Sequence, residues 1–199
     1  MKLPSIWENL SKDYLKNDHM RKAKTPVQEE SRFVVYDMIL GMAQQGPLTM
    51  LDAGCGPGAV DTIALNRIDG VTCHGLDRPK MIALAKKNAP HLSKSFVECD
   101  MVQGLPTEGE YDVINFRHVF EHMAGFELVL AQAFRLATKK VLVTFFLPLG
   151  EEDHYHVFFG SSSFRNKYSK ARFEEFLRVC GVWFELRELT TNVIYEITV

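Results

Sequence analysis

The stretch Leu51-Asp52-Ala53-Gly54-Cys55-Gly56-Pro57-Gly58-Ala59-Val60, LDAGCGPGAV, decides how this chain is read. It closes an apolar run, LTMLDA at 48–53, that has the composition of a buried strand. Three glycines alternate with other residues, and a helical pattern follows, with Val60, Ile63, Ala64 and Ile68 at helical spacing. Strand, glycine turn and helix in this order place bare backbone at the carboxyl end of a strand. In open parallel sheets that is where ligands bind, and glycine permits both positive φ and close approach.

Outward from this stretch the pattern keeps alternating. Strands are predicted at TCHGLD (72–77), SFVEC (95–99), YDVINF (111–116) and KKVLVTFFL (139–147), the last of them fully buried. Helices are predicted at 79–89, opened by Pro79, at 126–137, and at 170–180 behind a Ser169 cap. The face of the 126–137 helix is Phe126, Val129, Leu130, Ala133 and Ala137; that of the last is Phe173, Phe176, Leu177 and Cys180. VWFELREL and VIYEITV, around Thr190-Thr191-Asn192, alternate as a closing antiparallel hairpin. Two further helices precede the glycine stretch, at 5–20 with Trp7, Leu10 and Tyr14 on one side, and at 26–45, ended by Gly46-Pro47. The expected fold is α/β and Rossmann-like. It is a doubly wound, mostly parallel seven-stranded sheet with helices on both faces and a C-terminal antiparallel hairpin. Residues 1–199 form one domain, in which 1–46 cap a substrate and 47–199 form the ligand-binding core.

Composition narrows the function classes. The chain has 199 residues, 46% hydrophobic and 24% charged, with a formal charge of −2, so no basic field draws it to nucleic acid or anionic lipid. Its start lacks the apolar core of a secretory signal, and its longest apolar run, 141–149, is too short to span a bilayer. Cys55, Cys73, Cys99 and Cys180 are scattered without a CxxC pair, the usage of a cytoplasmic protein with reduced thiols.

Two ligands compete for the glycines. Gly54, Gly56 and Ala59 satisfy the dinucleotide pattern GxGxxG/A, and Asp77 ends the next strand, which would give an NAD-dependent oxidoreductase. Against this, the loop follows two helices, and the nearest approach to a Tyr-xxx-Lys pair, YSKAR at 168–172, ends in Arg172. No GxxxxGK[ST] occurs. The second reading uses more residues. LDAGCGPG (51–58), LDRP (76–79), CDMVQGLP (99–106) and YDVINFRHVFEH (111–122) fall in register. Through them the chain resembles the class I S-adenosylmethionine-dependent methyltransferases, in particular their small-molecule group, over roughly residues 48–147.

That resemblance implies roles. Gly54, Gly56 and Gly58 would wrap the methionine part of the cofactor, and Asp52 would meet its ammonium. Asp77 would accept both ribose hydroxyls and Arg78 would flank the adenine. Asp100 would accept from the adenine amino group beside the Met101 backbone. Asn115 and Arg117 would border the methyl group and the cofactor carboxylate. Plainer roles exist for three of them: Asp52 or Asp77 as a helix cap, Asp100 as a turn residue.

Methyl transfer from a sulfonium is an in-line displacement, in which positioning does much of the work and an oxygen nucleophile needs a base. His118 and His154 are the candidate bases, with Glu121, His122 and His156 near them. The segment after the fifth strand carries Tyr155, Phe158, Phe159, Phe164 and Tyr168, which would either line a pocket or pack the loop onto the sheet. HVFEH at 118–122 matches the HxxEH zinc pattern but leaves a strand, so no metal is expected. The Asn/Asp-Pro-Pro-aromatic segment of DNA amino-methylases is absent, the fourth strand giving Asn115-Phe116-Arg117-His118, and RKAK at 21–24 reads as a solvated connection. The expected partner is a small-molecule acceptor. A non-catalytic cofactor-binding subunit is the third reading.

Overall fold

The computed structural model describes residues 26–106, 108–155 and 166–199. The helix expected at 5–20, His156, Phe158, Phe159 and Phe164 lie outside them. The described strands are β1 (Leu48–Ala53), β2 (Val71–Asp77), β3 (Phe96–Glu98), β4 (Tyr111–Arg117), β5 (Ala137–Phe145), β6 (Trp183–Glu188) and β7 (Val193–Thr198). The described helices are α1 (Pro26–Ala43), α2 (Val60–Leu65), α3 (Pro79–Asn88), α4 (Glu127–Leu136) and α5 (Lys170–Val179).

The strands form one sheet in the order β3-β2-β1-β4-β5-β7-β6. β1 to β5 are parallel, whereas β7 runs antiparallel to both β5 and β6. The chain steps outward from β1 to β3, then returns to place β4 on the other side of β1. The strand order therefore reverses between β1 and β4, and that crevice is where such sheets bind ligands. In register, Asp52 of β1 stands beside Asn115 of β4, and Arg117 beside Thr144 of β5.

Strand parity sorts the two faces. Leu51, Ile114, Phe116, Val143 and Phe145 pack against Val129, Leu130 and Ala133 of α4 and Phe173 and Leu177 of α5. On the other face Met50, Val113 and Leu142 meet Val35, Tyr36 and Ile39 of α1 and Ala64 and Leu65 of α2. α3 rests on β3 through Ile82, Ala85 and Phe96. Ser169 caps α5, its Oγ accepting from the Arg172 N–H at 3.3 Å.

Three expectations need correction. The helical pattern expected from Val60 through Ile68 stops at Leu65, because the Asn66 side chain takes the Thr62 carbonyl (2.9 Å) and both backbone groups of Cys73 on β2. Cys180 is exposed, being past the last turn of α5. β5 ends at Phe145, leaving Phe146 45% and Leu147 54% exposed at its carboxyl end.

Candidate active site

The glycine turn is tied to β2 before any ligand is considered. The N–H groups of Gly54 and Cys55 both donate to the Leu76 carbonyl, at 2.7 and 3.1 Å. The Gly56 N–H donates to Asp77 Oδ2 at 2.8 Å, and Asp77 Oδ1 accepts from the Arg78 N–H at 2.7 Å. Asp77 is therefore not a helix cap: that position on α3 belongs to Arg78, which makes no side-chain cap bond. Its carboxylate lies at the crevice, bonded to the loop that it faces.

The loop's left-handed positions are Gly54 (φ 84°), Gly56 (φ 69°) and Ala59 (φ 44°). Gly58 is not among them. Gly54 has a packing reason besides its φ. A Cβ there would lie 2.5 Å from Val119 Cγ2 and 3.5 Å from the Met101 methyl. A Cβ at Gly56 would meet nothing within 4 Å, so its backbone is open. Asp100 is exposed and caps the 3-10 turn Met101–Gln103, accepting from the Val102 N–H at 3.3 Å. Turn residue and base-edge acceptor are compatible roles for it, since a carboxylate takes several donors.

A buried charged chamber lies beneath the loop, on the α1 side of the sheet. Asp52 is 2% exposed. It accepts from the Thr62 hydroxyl at 2.7 Å and from Asn115 Nδ2 at 3.3 Å, so it does not cap α2. Burial, reinforced by the nearby Asp61 carboxylate, pushes its pKa up to about 7. Burial would raise Asp61 also, but the Arg32 and Arg117 guanidiniums and the Tyr36 hydroxyl hold it well below the usual carboxylate range. Asp61 Oδ1 accepts from Arg32 Nε and from the Tyr36 hydroxyl, each at 2.6 Å. Arg32 Nη1 donates to Glu29 Oε2. Arg117 comes third: its Nη1 is 3.8 Å from Asp61 Oδ2 and its Nη2 4.0 Å from Glu29 Oε2. Its side chain is 7% exposed, and Nε and Nη2 find no hydrogen-bond acceptor among the described residues. Asn115 Oδ1 and Thr144 Oγ1 beside it are likewise buried without a hydrogen-bond partner there.

The exit of β4 forms the other side of the crevice. His118 adopts φ 57°, costly for a residue with a Cβ, and its N–H donates to the Thr144 carbonyl at 2.9 Å. Its Nδ1 lies 3.8 Å from Glu121 Oε1, and its ring stands edge-on to Phe146 at 5.4 Å. Glu121 also accepts from the Phe146 N–H. Phe120–His122 is a single 3-10 turn, not a helix that could carry both histidines on one face. His154 lies elsewhere. It is exposed and bridged to Lys167 through both backbone groups, beside the Asp153–Arg172 pair at the start of α5. Tyr168 packs inward, its hydroxyl donating to the carbonyls of Phe120 and Met123.

Glu29, Arg32, Tyr36 and Asp61 were not anticipated. A signal existed: Glu29, Arg32 and Tyr36 recur at i, i+3 and i+7, a polar stripe on a helix whose Val35 and Ile39 are core.

Comparison with known proteins agrees with this geometry. A family model described as a methyltransferase domain matches residues 45–148. No curated protein matches the chain in sequence. Among solved structures, magnesium protoporphyrin IX methyltransferase from Synechocystis PCC 6803, with S-adenosylhomocysteine bound, superposes with a TM-score of 0.63. It is 19% identical over 97% of this chain and 92% of that one. The 1,6-didemethyltoxoflavin-N1-methyltransferase of Burkholderia thailandensis gives 0.61 at 17% identity, over 100% and 90% of the two chains. An S-adenosylmethionine-dependent methyltransferase from Mesorhizobium loti gives 0.65 at 12%, over 87% and 99%. At these identities the likeness is one of fold, and the antiparallel β7 set between β5 and β6 departs from the dinucleotide-binding order that the NAD reading requires. The sheet order, the glycine turn bonded to the acid that ends β2, and the matched model agree: the chain belongs to the class I S-adenosylmethionine-dependent methyltransferases.

Proposed function

We propose that this chain methylates a small-molecule acceptor, binding S-adenosylmethionine between the glycine turn and the ends of β1, β2 and β4. One observation carries the site assignment. Asp52 and Arg117 lie on the same face of neighbouring strands, with Asn115 between them. One is a carboxyl whose hydrogen-bond donors are neutral, the other a guanidinium with two unused nitrogens. Arg117 stands one strand across and two residues along from Asp52, about 8 Å on the diagonal between backbone positions, which leaves room between the two side chains for the ammonium and the carboxylate of one α-amino acid. The cofactor ends in that group, so the residues present fit it.

In this reading Asp77 holds the ribose diol and Arg78 flanks the adenine. Asp100 and the Met101 backbone meet the adenine edge, and Gly54, Gly56 and Gly58 let the main chain close on the methionine part. When bound, the cofactor supplies an activated methyl group on a sulfonium. His118 then takes the acceptor's proton. Glu121, 3.8 Å from Nδ1, is within Coulombic range of the imidazolium that forms, and the exposed Phe146 and Leu147 form an apolar ledge for the acceptor. His154 is the weaker candidate, because it is exposed on the segment before α5 and no acidic partner stands beside its ring among the described residues. α1 walls the chamber beside Arg117, which supports residues 1–46 as a cap within one domain. A cytoplasmic location is supported by four unpaired cysteines and by the lack, among the described residues, of any helix able to cross a membrane.

The test is calorimetric titration with S-adenosylhomocysteine, with NAD in a parallel cell. Micromolar binding of the first alone is expected. Asp77→Ala should weaken it at least tenfold, the loss of about 1.5–3 kcal/mol for hydrogen bonds to a charged group, while His118→Gln leaves it unchanged. NAD binding, or unaltered affinity in a folded Asp77→Ala variant, overturns the assignment.

A further inference from the structure

We infer that Arg32 of α1 is a positioning residue of the cofactor site: by engaging Asp61 and Glu29 itself, it keeps the Arg117 guanidinium available for the carboxylate of the bound amino acid. The inference rests on the proposed cofactor reading, and it extends the site beyond residues 45–148, the span that the family model matches.

Four described charges meet here in a definite order. Two carboxylates, Glu29 and Asp61, face two guanidiniums, Arg32 and Arg117, in one buried chamber. The pairs are not equivalent. Arg32 reaches Asp61 Oδ1 through Nε at 2.6 Å and Oδ2 through Nη2 at 3.5 Å, and spends Nη1 on Glu29 Oε2. Arg117 approaches those carboxylates only to 3.8 and 4.0 Å, within Coulombic range but beyond hydrogen bonding. Its charge is thus neutralised, which permits its burial, while its Nε and Nη2 donors stay uncommitted. Tyr36 reinforces the order by donating to the same Asp61 oxygen that Arg32 Nε uses.

Remove Arg32 and the order fails. Asp61 loses the guanidinium bonded to it, and the nearest other cation among the described residues is Arg117, about 1 Å short of a hydrogen bond. It closes on Asp61, and the uncommitted donors that the proposed carboxylate site needs are lost. The structural cost of the substitution is largely repaired, whereas recognition of the carboxylate is not. That separates a positioning role from a merely structural one.

The experiment compares two probes on the full chain. S-adenosylhomocysteine carries the amino-acid end; 5′-methylthioadenosine has the same adenosine and sulfur without it. In Arg32→Met, affinity for S-adenosylhomocysteine should fall about tenfold, and affinity for methylthioadenosine should stay within twofold of wild type. Arg32→Gln, which retains a donor toward Asp61, is read the same way if the methionine variant does not fold. Equal losses for both probes, or no loss for either, overturn the inference. Failure of wild type to bind S-adenosylhomocysteine would overturn instead the cofactor reading beneath it.

Discussion

Asp52→Asn should make the protein more stable above neutral pH while weakening its grip on the cofactor. The carboxyl is buried against Thr62, Asn115 and, across the chamber, Asp61; Arg32 lowers its pKa less than burial and Asp61 raise it. A carboxyl moved from 3.8 in the unfolded chain to about 7 in the native one costs the native state at most about 4 kcal/mol once it is fully ionised. The sign follows from proton counting. Below about pH 4 both states hold the proton, and stability is full. Between about 4 and 7 only the unfolded chain releases it, so stability falls as pH rises, and above 7 the penalty is constant. Asp61 has the opposite sign, but its contribution is lost only in strong acid, outside this window. The amide is well received: its oxygen can accept from Thr62, and its nitrogen can donate to Asn115 Oδ1, which has no hydrogen-bond partner among the described residues. Urea unfolding followed by circular dichroism from pH 4.5 to 8.5 tests this. The variant and wild type should converge at the acid end and diverge by up to about 4 kcal/mol at pH 8.5, on the order of 10 °C in melting temperature for a chain of this size. A stability difference that stays constant across the range would refute the argument, because the native carboxyl would then titrate as in the unfolded chain.

Two further predictions concern the frame around the site. Gly54→Ala should destabilise by about 2–4 kcal/mol, combining a left-handed φ with overlap onto Val119. Val119→Ala in the same chain should recover part of that loss, and a Gly54→Ala variant as stable as wild type by urea midpoint would remove the packing account of this glycine. Tyr168→Phe deletes a buried hydroxyl that donates to Phe120 and Met123, at 3.0 and 2.7 Å. It should cost about 1–2 kcal/mol in urea unfolding, and an unchanged midpoint would show that those carbonyls are satisfied without it.

The sheet and its glycine turn were legible because each depends on local signals. The alternating apolar runs mark β1 to β5, glycine marks positive φ at 54 and 56, and Pro79 and Ser169 mark helix starts. The chamber was not legible in the same way. Its members come from α1, β1, α2 and β4, separated by up to 88 residues, and nothing local states that Arg32 meets Asp61. Apolar periodicity also misjudged α2. It selected Val60, Ile63, Ala64 and Ile68 as the inward face, whereas the helix buries Asp61 and Thr62 with Ala64 and Leu65. A reading that counts only apolar residues assigns charges to solvent, and here the Asp61 carboxylate in the first turn of α2 is inward. Likewise, β5 was extended through Leu147 because Phe146 and Leu147 look like core. They stand exposed because the backbone of Phe146 is held at its N–H by Glu121 and at its carbonyl by Asn192.

β4 explains why the charged chamber and the apolar core can share one strand. Val113, Asn115 and Arg117 face α1, while Ile114 and Phe116 face α4. Continued extension would send residue 118 to the aromatic side and Val119 toward the charges. The left-handed φ at His118 breaks that parity. Val119 can then pack onto Gly54, and Phe120 stacks on Phe116 at 4.8 Å, both on the apolar side. His118 stays at the rim, between Glu121 and Phe146. The conformational cost at this one position, about 1–2 kcal/mol for a residue with a Cβ, is offset by the burial of Val119 and Phe120. The glycine turn and the strained histidine are thus two sides of one contact. The side chain that requires a glycine at position 54 is delivered there by the turn that sets His118 at the mouth of the crevice.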